Sequence, residues 1–291
     1  MKILIVGGTG MLGHRLWMDL SSTHDVWGTV RGSADSLPAL RGIVRANILE
    51  YVDALQVETV QYIVETIKPD VVINGVGLIK QRENAKEPIL AIDINTRFPH
   101  LLAALCQQQG ARLIHISTDC VFSGQKGMYK ESDPTDARDL YGRTKALGEV
   151  DYLDYGLTIR TSLIGREINT RYSLLEWFLS QNGRVKGFQK AIFSGFPTGA
   201  VSQLLNDIIL PRTELHGLYH VAAEPINKYD LLLLFREAYN RQIDIEADTV
   251  MTIDRSLDSS RFRAETGFIP TPWPDMIAQM AADTTPYESW K

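Results

Sequence analysis

A doubly wound α/β fold, with a parallel sheet covered by helices on both faces, is predicted from three features of the chain. Six short apolar runs recur along it, at Ile3 to Val6, Val26 to Val30, Val71 to Ile73, Leu113 to Ile116, Leu157 to Leu163 and Leu218 to Val221. They are near-continuous rather than alternating, as strands buried on both faces are. Segments with helical spacing, such as Val57 to Ile67 and Phe98 to Gln108, lie between them, and Gly110 is placed to cap the second. The third feature is a glycine-rich turn where the first strand meets the first helix.

That turn reads Gly7-Gly8-Thr9-Gly10-Met11-Leu12-Gly13 and follows the strand Lys2 to Val6 directly. Glycines three apart serve distinct needs: a sharp turn, close approach of backbone to a pyrophosphate, and tight packing of helix on strand. The helix start then presents free N–H groups and the positive end of its dipole to the phosphates. A Rossmann-type dinucleotide site is therefore expected here. After the second strand, an acidic residue would grip the ribose 2′-hydroxyl of NAD. The chain instead carries Arg31 in Gly28-Thr29-Val30-Arg31-Gly32-Ser33, and a guanidinium suits a 2′-phosphate, so NADP(H) is the expected cofactor.

Ser117-Thr118-Asp119 ends the fourth run, and Tyr141 and Lys145 follow at helical spacing i, i+4. That spacing puts both side chains on one helix face. A neighbouring ammonium favours the phenolate and lowers the pKa of a tyrosine from its usual value of about 10. Thr118, at the carboxyl end of a strand, is placed to hydrogen-bond a reacting oxygen. The spacing alone is weak, since Tyr287 and Lys291 repeat it without a preceding strand end. The order of glycine turn, Ser-Thr strand end and Tyr–Lys pair gives it weight, and Thr118, Tyr141 and Lys145 are the expected catalytic residues.

Beyond Gly165 the pattern loosens. Residues 166–194 show no clear alternation, and from Ile243 onward Pro270, Pro272, Pro274 and Pro286 break the chain into short pieces. The expected organisation is a nucleotide-binding domain over 1–165, with 195–235 returning to it through Val201 to Leu210 and Leu218 to Val221. A smaller substrate lobe over the rest of 166–291 is interleaved with it. Leu231 to Phe235 reads as a buried helix.

With 291 residues, 44% hydrophobic, 22% charged and a net charge of −5, the composition is that of a globular protein. It gives no support for nucleic-acid or anionic-membrane partners, while leaving room for a local basic pocket. Cys106 and Cys120 make neither a disulfide framework nor a zinc site, and the six histidines show no metal-ligand spacing, so no metal is expected. The apolar run after Lys2 stops at Gly7-Gly8, too short for a signal-peptide core. No stretch reaches the roughly 18 apolar residues of a membrane span. The cytoplasm is the expected location.

Taken in order, Gly7 to Gly13, Asn74-Gly75-Val76-Gly77, Asn95, Ser117-Thr118-Asp119 and Tyr141-Gly142-Arg143-Thr144-Lys145 resemble the extended short-chain dehydrogenase/reductase family, over essentially the whole chain. The resemblance implies a nicotinamide cofactor and a smaller lobe that holds a nucleotide-sugar. It implies that Gly75 and Val76 pass the adenine and ribose, that Lys145 holds the nicotinamide ribose, and that Asn95 supports the backbone of the site. The expected cofactor-binding set is Gly7, Thr9, Gly10, Met11, Leu12, Gly13, Arg31, Asn47, Ile48, Gly75, Val76, Gly77, Asn95, Ser117, Tyr141 and Lys145.

Within that family the chain is most similar to the dTDP-4-dehydrorhamnose reductases and their relatives. Thr118-Asp119-Cys120-Val121-Phe122-Ser123-Gly124 resembles their Thr-Asp-Tyr-Val-Phe-Asp-Gly, and Gly195-Phe196-Pro197-Thr198 resembles their Gly-x-Pro-Thr. It departs at Cys120, where they carry Tyr, at Met251-Thr252, where Arg-Pro is expected, and at Arg255 to Asp258, which matches only in Leu-Asp. The expected substrate-facing set is Thr118, Val121, Trp177 and Thr198, with Trp177 and Phe178 open to a core-packing role instead. Arg166, Arg171, Lys190, Arg255 and Arg261 are open to a pyrophosphate or a purely solvated role. The resemblance implies reduction of a nucleotide-linked 4-keto-6-deoxy sugar with NADPH, for polysaccharide precursor synthesis, and leaves room for a homodimer. Two alternatives stand beside it: an epimerase of the same family, and a non-catalytic NADP-binding regulatory protein. Dehydratases of the family follow their Thr with Asp-Glu, whereas here Asp119 is followed by Cys120.

Overall fold

The computed structural model describes residues 1–37, 47–81 and 83–290. Seven parallel strands form the main sheet: β1 (Lys2–Val6), β2 (Asp25–Thr29), β3 (Ile48–Leu49), β4 (Val71–Asn74), β5 (Arg112–Thr118), β6 (Gly156–Thr161) and, after three further short or peripheral strands, β10 (Gly217–His220). Their order is β10-β6-β5-β4-β1-β2-β3, so the chain winds outward in both directions from the β1/β4 join. This is the Rossmann arrangement, and ligands bind in such sheets beyond the carboxyl ends of the strands at the join. The strands β1 and β4 are almost wholly buried, which is why their sequences read as unbroken apolar runs.

Helices α1 (Met11–Leu20), α2 (Val57–Ile67), α3 (Pro88–Ile92), α4 (Phe98–Gln109) and α5 (Leu140–Leu147) connect these strands. Gly110 ends α4 with φ +69°, the left-handed cap its position suggests. A π-helical turn, Asp93–Arg97, joins α3 to α4 into one 22-residue run, Pro88–Gln109. By length and composition this run resembles a membrane span, contrary to the expectation that no segment is long enough. One face of it, with Phe98, Leu102, Ala103 and Cys106, packs into the core beneath the sheet, so its apolar character has a use within the fold.

The run Leu157 to Leu163 is not one strand. After β6 the chain turns, and β7 (Leu163–Ile164) pairs in parallel with β9 (Phe196–Pro197). Gly195 permits the contact, since a Cβ there would lie 2.0 Å from the Ser162 carbonyl oxygen. The stretch expected to return to the sheet over 195–235 divides. Helix α7 (Thr198–Leu204) packs on α1, and β10 joins β6, but Val201 to Leu210 is helical rather than a strand. Further on, β11 (Ile226–Asn227) pairs with β8 (Gly183–Phe193), and α8 (Lys228–Ala238) covers that strand.

Residues 166–194 and those after Ile243 are more regular than their sequence suggests. Helix α6 (Leu174–Ser180) precedes β8, an 11-residue strand, and β8 pairs in parallel with β12 (Ile243–Asp254). These strands alternate buried and exposed positions because α8 covers one face, so Ile243 and Ile245 point inward while Asp244 and Glu246 point out. A register break between Asp248 and Thr252 bends β12 toward the main sheet. Helices α9 (Ser260–Thr266) and α10 (Trp273–Ala281) close the molecule, and Phe262, Trp273 and Met276 join the large core that α8 shares with β6 and α7.

Candidate active site

The glycine turn has the geometry its spacing calls for. Gly7 sits at φ +93°, and a Cβ on Gly13 would lie 2.1 Å from the Gly7 carbonyl oxygen, so neither position takes another residue without strain. Thr29 holds the turn, accepting from Gly7 N through Oγ1 at 3.0 Å and from Gly8 N through its carbonyl at 3.0 Å. Gly10 caps α1 with no side-chain hydrogen bond, and the first turn carries no acidic residue. The helix start is thus left with unsatisfied N–H groups and an uncompensated positive end, the requirement for an anion. Thr9, Gly10 and Met11 border this end, whereas the Leu12 side chain is buried in the core and offers only its backbone.

The Gly75 to Gly77 loop faces that turn across the β1/β4 join. Gly75 N donates to Val6 O at 3.0 Å, and a Cβ on Gly7 would lie 3.1 Å from the Val76 side chain. Asn95, buried in the π-helical turn, supports the loop: Oδ1 accepts from Leu78 N at 2.8 Å, and Nδ2 donates to Leu78 O and to Thr144 Oγ1, both at 3.2 Å. Arg31 stands exposed beyond β2, with no hydrogen bond or ion pair among the described residues. Asn47 does not join this set. Its amide reaches back along β2 to donate to Val26 O at 2.9 Å and Asp25 Oδ1 at 3.2 Å, near the amino end of that strand, while β3 itself pairs with Gly28 and Thr29; Ile48, opposite Gly28, packs on the core.

Thr118 ends β5 and caps a short 3₁₀ turn, Asp119–Val121. Its Oγ1 accepts from Cys120 N at 3.1 Å and donates to Asp119 Oδ1 at 3.1 Å. Helix α5 begins at the N-cap Asp139, whose carboxylate accepts from Gly142 N at 2.8 Å. A Cβ on Gly142 would lie 2.2 Å from the Cys120 carbonyl oxygen, so the first turn of α5 presses directly on the Thr118 loop. That contact brings Tyr141 beside Thr118. Burial and the neighbouring Cys120 thiol push the Tyr141 phenol above its ordinary pKa, while the Thr118 hydroxyl pulls the other way. Lys80 Nζ lies 5.4 Å from the centre of the Tyr141 ring and pairs with Asp139 at 2.7 Å.

Lys145, one turn along α5, is 3% exposed. Its Nζ donates to Ile116 O at 2.8 Å and lies 3.5 Å from His115 Nε2. Burial lowers its pKa to about 8, opposed by the Glu149 carboxylate. In this arrangement the ammonium is tied to β5, and the cation on the tyrosine ring is Lys80. Glu149 itself accepts from Ser117 Oγ at 2.6 Å and forms a two-pronged pair with Arg160 at 2.8 and 2.7 Å. Arg160 Nη1 meets His220 Nε2 at 3.2 Å. This buried charge network under Ser117 and Lys145 is absent from the expected site set. Its strand members share a face by period two, as His115 and Ser117 do, but nothing local links them to Glu149 or His220.

The substrate-facing expectations fare unevenly. Val121 is fully buried in a small core with Phe122, Tyr129 and Leu257, so its side chain packs rather than faces the cleft. Phe178 is a core residue, and Trp177 beside it is 37% exposed on α6. Thr198 lines a separate cavity of about 330 Å³ between α1, α7 and α10, with Arg15, Arg166 and Tyr287, because α7 docks on α1. Arg166 is committed to Glu176 and Glu288 and stacks on Tyr287; Arg261 pairs with Glu265. Tyr287 bonds His14, and its sequence partner Lys291 lies outside the described residues. Among the described residues, no group of three or more His, Cys, Asp or Glu is placed to hold a metal ion.

A doubly wound sheet with an uncapped glycine-turn helix and a Thr–Tyr–Lys cluster at its carboxyl edge defines a Rossmann-type nucleotide-binding protein. More narrowly, the chain belongs to the family described as the RmlD substrate binding domain, whose model matches residues 1–285. It is similar to the dTDP-4-dehydrorhamnose reductase of Escherichia coli K12, 30% identical over 253 residues, which take in 82% of this chain and 78% of that one. With the dTDP-4-dehydrorhamnose reductase of Aggregatibacter actinomycetemcomitans it is 29% identical over 192 residues, 62% of this chain and 65% of the relative. In two further relatives of that name the match spans 50% and 48% of their length. In fold it resembles the crystal structure of dTDP-4-dehydrorhamnose reductase from Bacillus anthracis in complex with NADP, with a TM-score of 0.80, 22% identity, and coverage of 97% of this chain and 99% of that one.

Proposed function

We propose that the protein is an NADPH-dependent reductase of a nucleotide-linked 4-keto-6-deoxy sugar. The observation that carries this reading is the meeting of Thr118, Tyr141 and Lys145 at the carboxyl edge of β5 and the start of α5, in the sheet that sets the open α1 terminus at its β1/β4 join. The residues present fit the cofactor. The α1 N-terminus lacks any acidic or capping side chain, Gly7 and Gly13 keep the turn tight against it, and Arg31 stands exposed beyond β2 with no ion pair among the described residues. The pyrophosphate would rest on α1 and the 2′-phosphate on Arg31.

Bound NADPH supplies the hydride. Thr118 Oγ1 orients the keto oxygen, and Tyr141 donates a proton to the alkoxide as it forms. Lys145, its Nζ held on the Ile116 carbonyl, would hold the nicotinamide ribose and set its charge one helical turn from the phenol. Donors aimed where charge develops give the largest rate effects in such sites. The raised pKa of Tyr141 keeps the phenol protonated, the form a reduction requires. Kinship with reductases named for dTDP-4-dehydrorhamnose supports the substrate class. The test is NADPH oxidation against nucleotide-linked 4-keto sugars of varied base and C2 substituent. Turnover with at least one of them is expected, and none across the panel would refute the reading. Tight retention of NAD through purification would point to an epimerase instead.

A further inference from the structure

A tyrosine that gives up its proton in turnover is left as a phenolate, and the surroundings of Tyr141 resist that charge. Burial, the Cys120 thiol and the Asp119 and Asp139 carboxylates all push the phenol upward, while the Thr118 hydroxyl pulls it down. Two nearby cations are engaged elsewhere. Lys145 is tied to the Ile116 carbonyl at 2.8 Å and faces His115. Arg255, from the end of β12, donates to Phe122 O at 2.8 Å and stands 3.7 Å from Cys120 Sγ. Among the described residues, the cation set over the Tyr141 ring is Lys80, with Nζ 5.4 Å from the ring centre.

Lys80 belongs to the loop that leaves β4, the same loop whose Gly75 to Gly77 turn faces the start of α1. Two anchors set it there. Two residues earlier, Asn95 holds both backbone groups of Leu78, at 2.8 and 3.2 Å. At its tip, Nζ donates to Asp139 Oδ2 at 2.7 Å, and the other oxygen of that carboxylate caps α5 by accepting from Gly142 N at 2.8 Å. The lysine is thereby clamped to the first turn of the helix that carries Tyr141.

The Lys80 and Asp139 side chains are 34% and 44% exposed, and an ion pair so exposed adds little to stability. What sets this one apart is the ring beneath it. A cation within about 6 Å of a ring centre is attracted by the negative face, more strongly once water is excluded. A ring that turns from phenol to phenolate attracts it more strongly again, because a full charge replaces a quadrupole. Substrate and cofactor filling the cleft would expel water and strengthen both effects.

We propose that Lys80 is a positioning residue for the reduction that acts through Tyr141: its ammonium offsets the Asp139 carboxylate and stabilises the phenolate left when the proton passes to the substrate alkoxide. The O–H bond of Tyr141 breaks as that of the product alcohol forms, the hydride comes from NADPH, and a solvent proton restores the phenol between turnovers. The inference rests on the reading of Tyr141 as proton donor and adds a second cation to it.

The test is steady-state NADPH oxidation with dTDP-4-dehydrorhamnose, or with the fastest member of the panel above, in wild type, Lys80→Gln, Lys80→Arg and Tyr141→Phe. Glutamine keeps a donor for Asp139 and removes the charge, whereas arginine keeps both. In Lys80→Gln, kcat is expected to fall about tenfold, the order of effect of removing an opposite charge from beside an ionising group. KM and NADPH affinity should stay within a few-fold, and the solvent deuterium isotope effect on kcat should rise as proton transfer slows. Lys80→Arg is expected to restore most of kcat. Wild-type kcat in Lys80→Gln would show that Lys80 only braces Asp139, and an equal loss in the Gln and Arg variants, or an unchanged isotope effect, would equally overturn the proposal. Each of these leaves the reductase reading intact so long as Tyr141→Phe has lost turnover. Full turnover in Tyr141→Phe, or a wild-type protein that reduces no member of the panel, overturns both.

Discussion

His115 Nε2 lies 3.5 Å from Lys145 Nζ, and the hydrogen bonds around it decide which atom carries the proton. Val76 N donates to Asn74 Oδ1 at 3.1 Å, which turns the Asn74 amide so that Nδ2 donates to His115 Nδ1 at 3.0 Å. The neutral ring then bears its proton on Nε2, facing the lysine. An ammonium has nothing to accept with, so this contact disfavours the charged lysine, in the same direction as its burial.

The consequence is a pH profile. With Lys145 lowered to about 8, reduction is expected to fall as pH rises through that value, because the neutral amine no longer supports Tyr141. In His115→Gln the alkaline limb should move to higher pH, toward the free lysine value of about 10.4. A limb that stays in place, whatever happens to the melting temperature, would show that His115 is only a packing residue.

Tyr141→Phe removes the proton donor and leaves the glycine turn untouched. Turnover is expected to drop by about 10²–10⁴-fold, the usual range for loss of a general acid. NADPH affinity, followed by fluorescence titration, is expected to stay within a few-fold of wild type. Wild-type turnover in this variant would remove Tyr141 from the mechanism.

Arg31 is the single residue on which the cofactor preference rests. Arg31→Ala is expected to weaken NADPH by about tenfold or more, the effect of losing a charge-assisted bond to phosphate, with NADH little changed. Titrations with the two cofactors measure the ratio, and an unaltered ratio would send the 2′-phosphate elsewhere.

Acid should destabilise the protein above the range where carboxylates titrate. His220 is fully buried between Arg160 and the Tyr129 carbonyl, and burial followed by the Arg160 charge lowers its pKa to about 4. His14 and His115 are lowered too, chiefly by burial. Below pH 6.5 the unfolded chain takes up protons that the folded one refuses, so stability is lost as pH falls from about 6.5 to 4, by of order 3 kcal/mol for His220 alone. His220→Asn should flatten that part of the melting curve against pH, and an equally steep curve would disprove the assignment.

The buried Glu149–Arg160 pair gives a last check. Arg160→Met leaves a buried carboxylate unpaired and is expected to cost about 3–5 kcal/mol, measured by urea unfolding. Adding Glu149→Leu should recover part of the loss. Additive losses in the double variant would mean that the pair is not a unit.

Much of the main sheet was legible because its strands are buried on both faces, so Ile3 to Val6 and Val71 to Ile73 show as unbroken apolar runs. β8 and β12 escaped notice for the converse reason. They are half-exposed and interrupt their apolar residues with charges, as at Arg184 and Lys186 in β8 and at Asp244 and Glu246 in β12. The glycine turn and the Tyr141–Lys145 spacing are local, and a local motif needs no fold to be read.

What the sequence by itself determined is the set of short-range constraints: positive φ at Gly7, one helix face for Tyr141 and Lys145, a strand end at Thr118. Only the tertiary structure decided what surrounds them. It set Lys145 on the Ile116 carbonyl, turned Val121 into the core, took Thr198 to another cavity, and brought Arg255 from the end of β12 to 3.7 Å from Cys120 Sγ. The reason is range. Dihedral preferences and helical period act over a few residues, whereas burial and charge depend on which distant segments pack together, and those set the chemistry of the cleft.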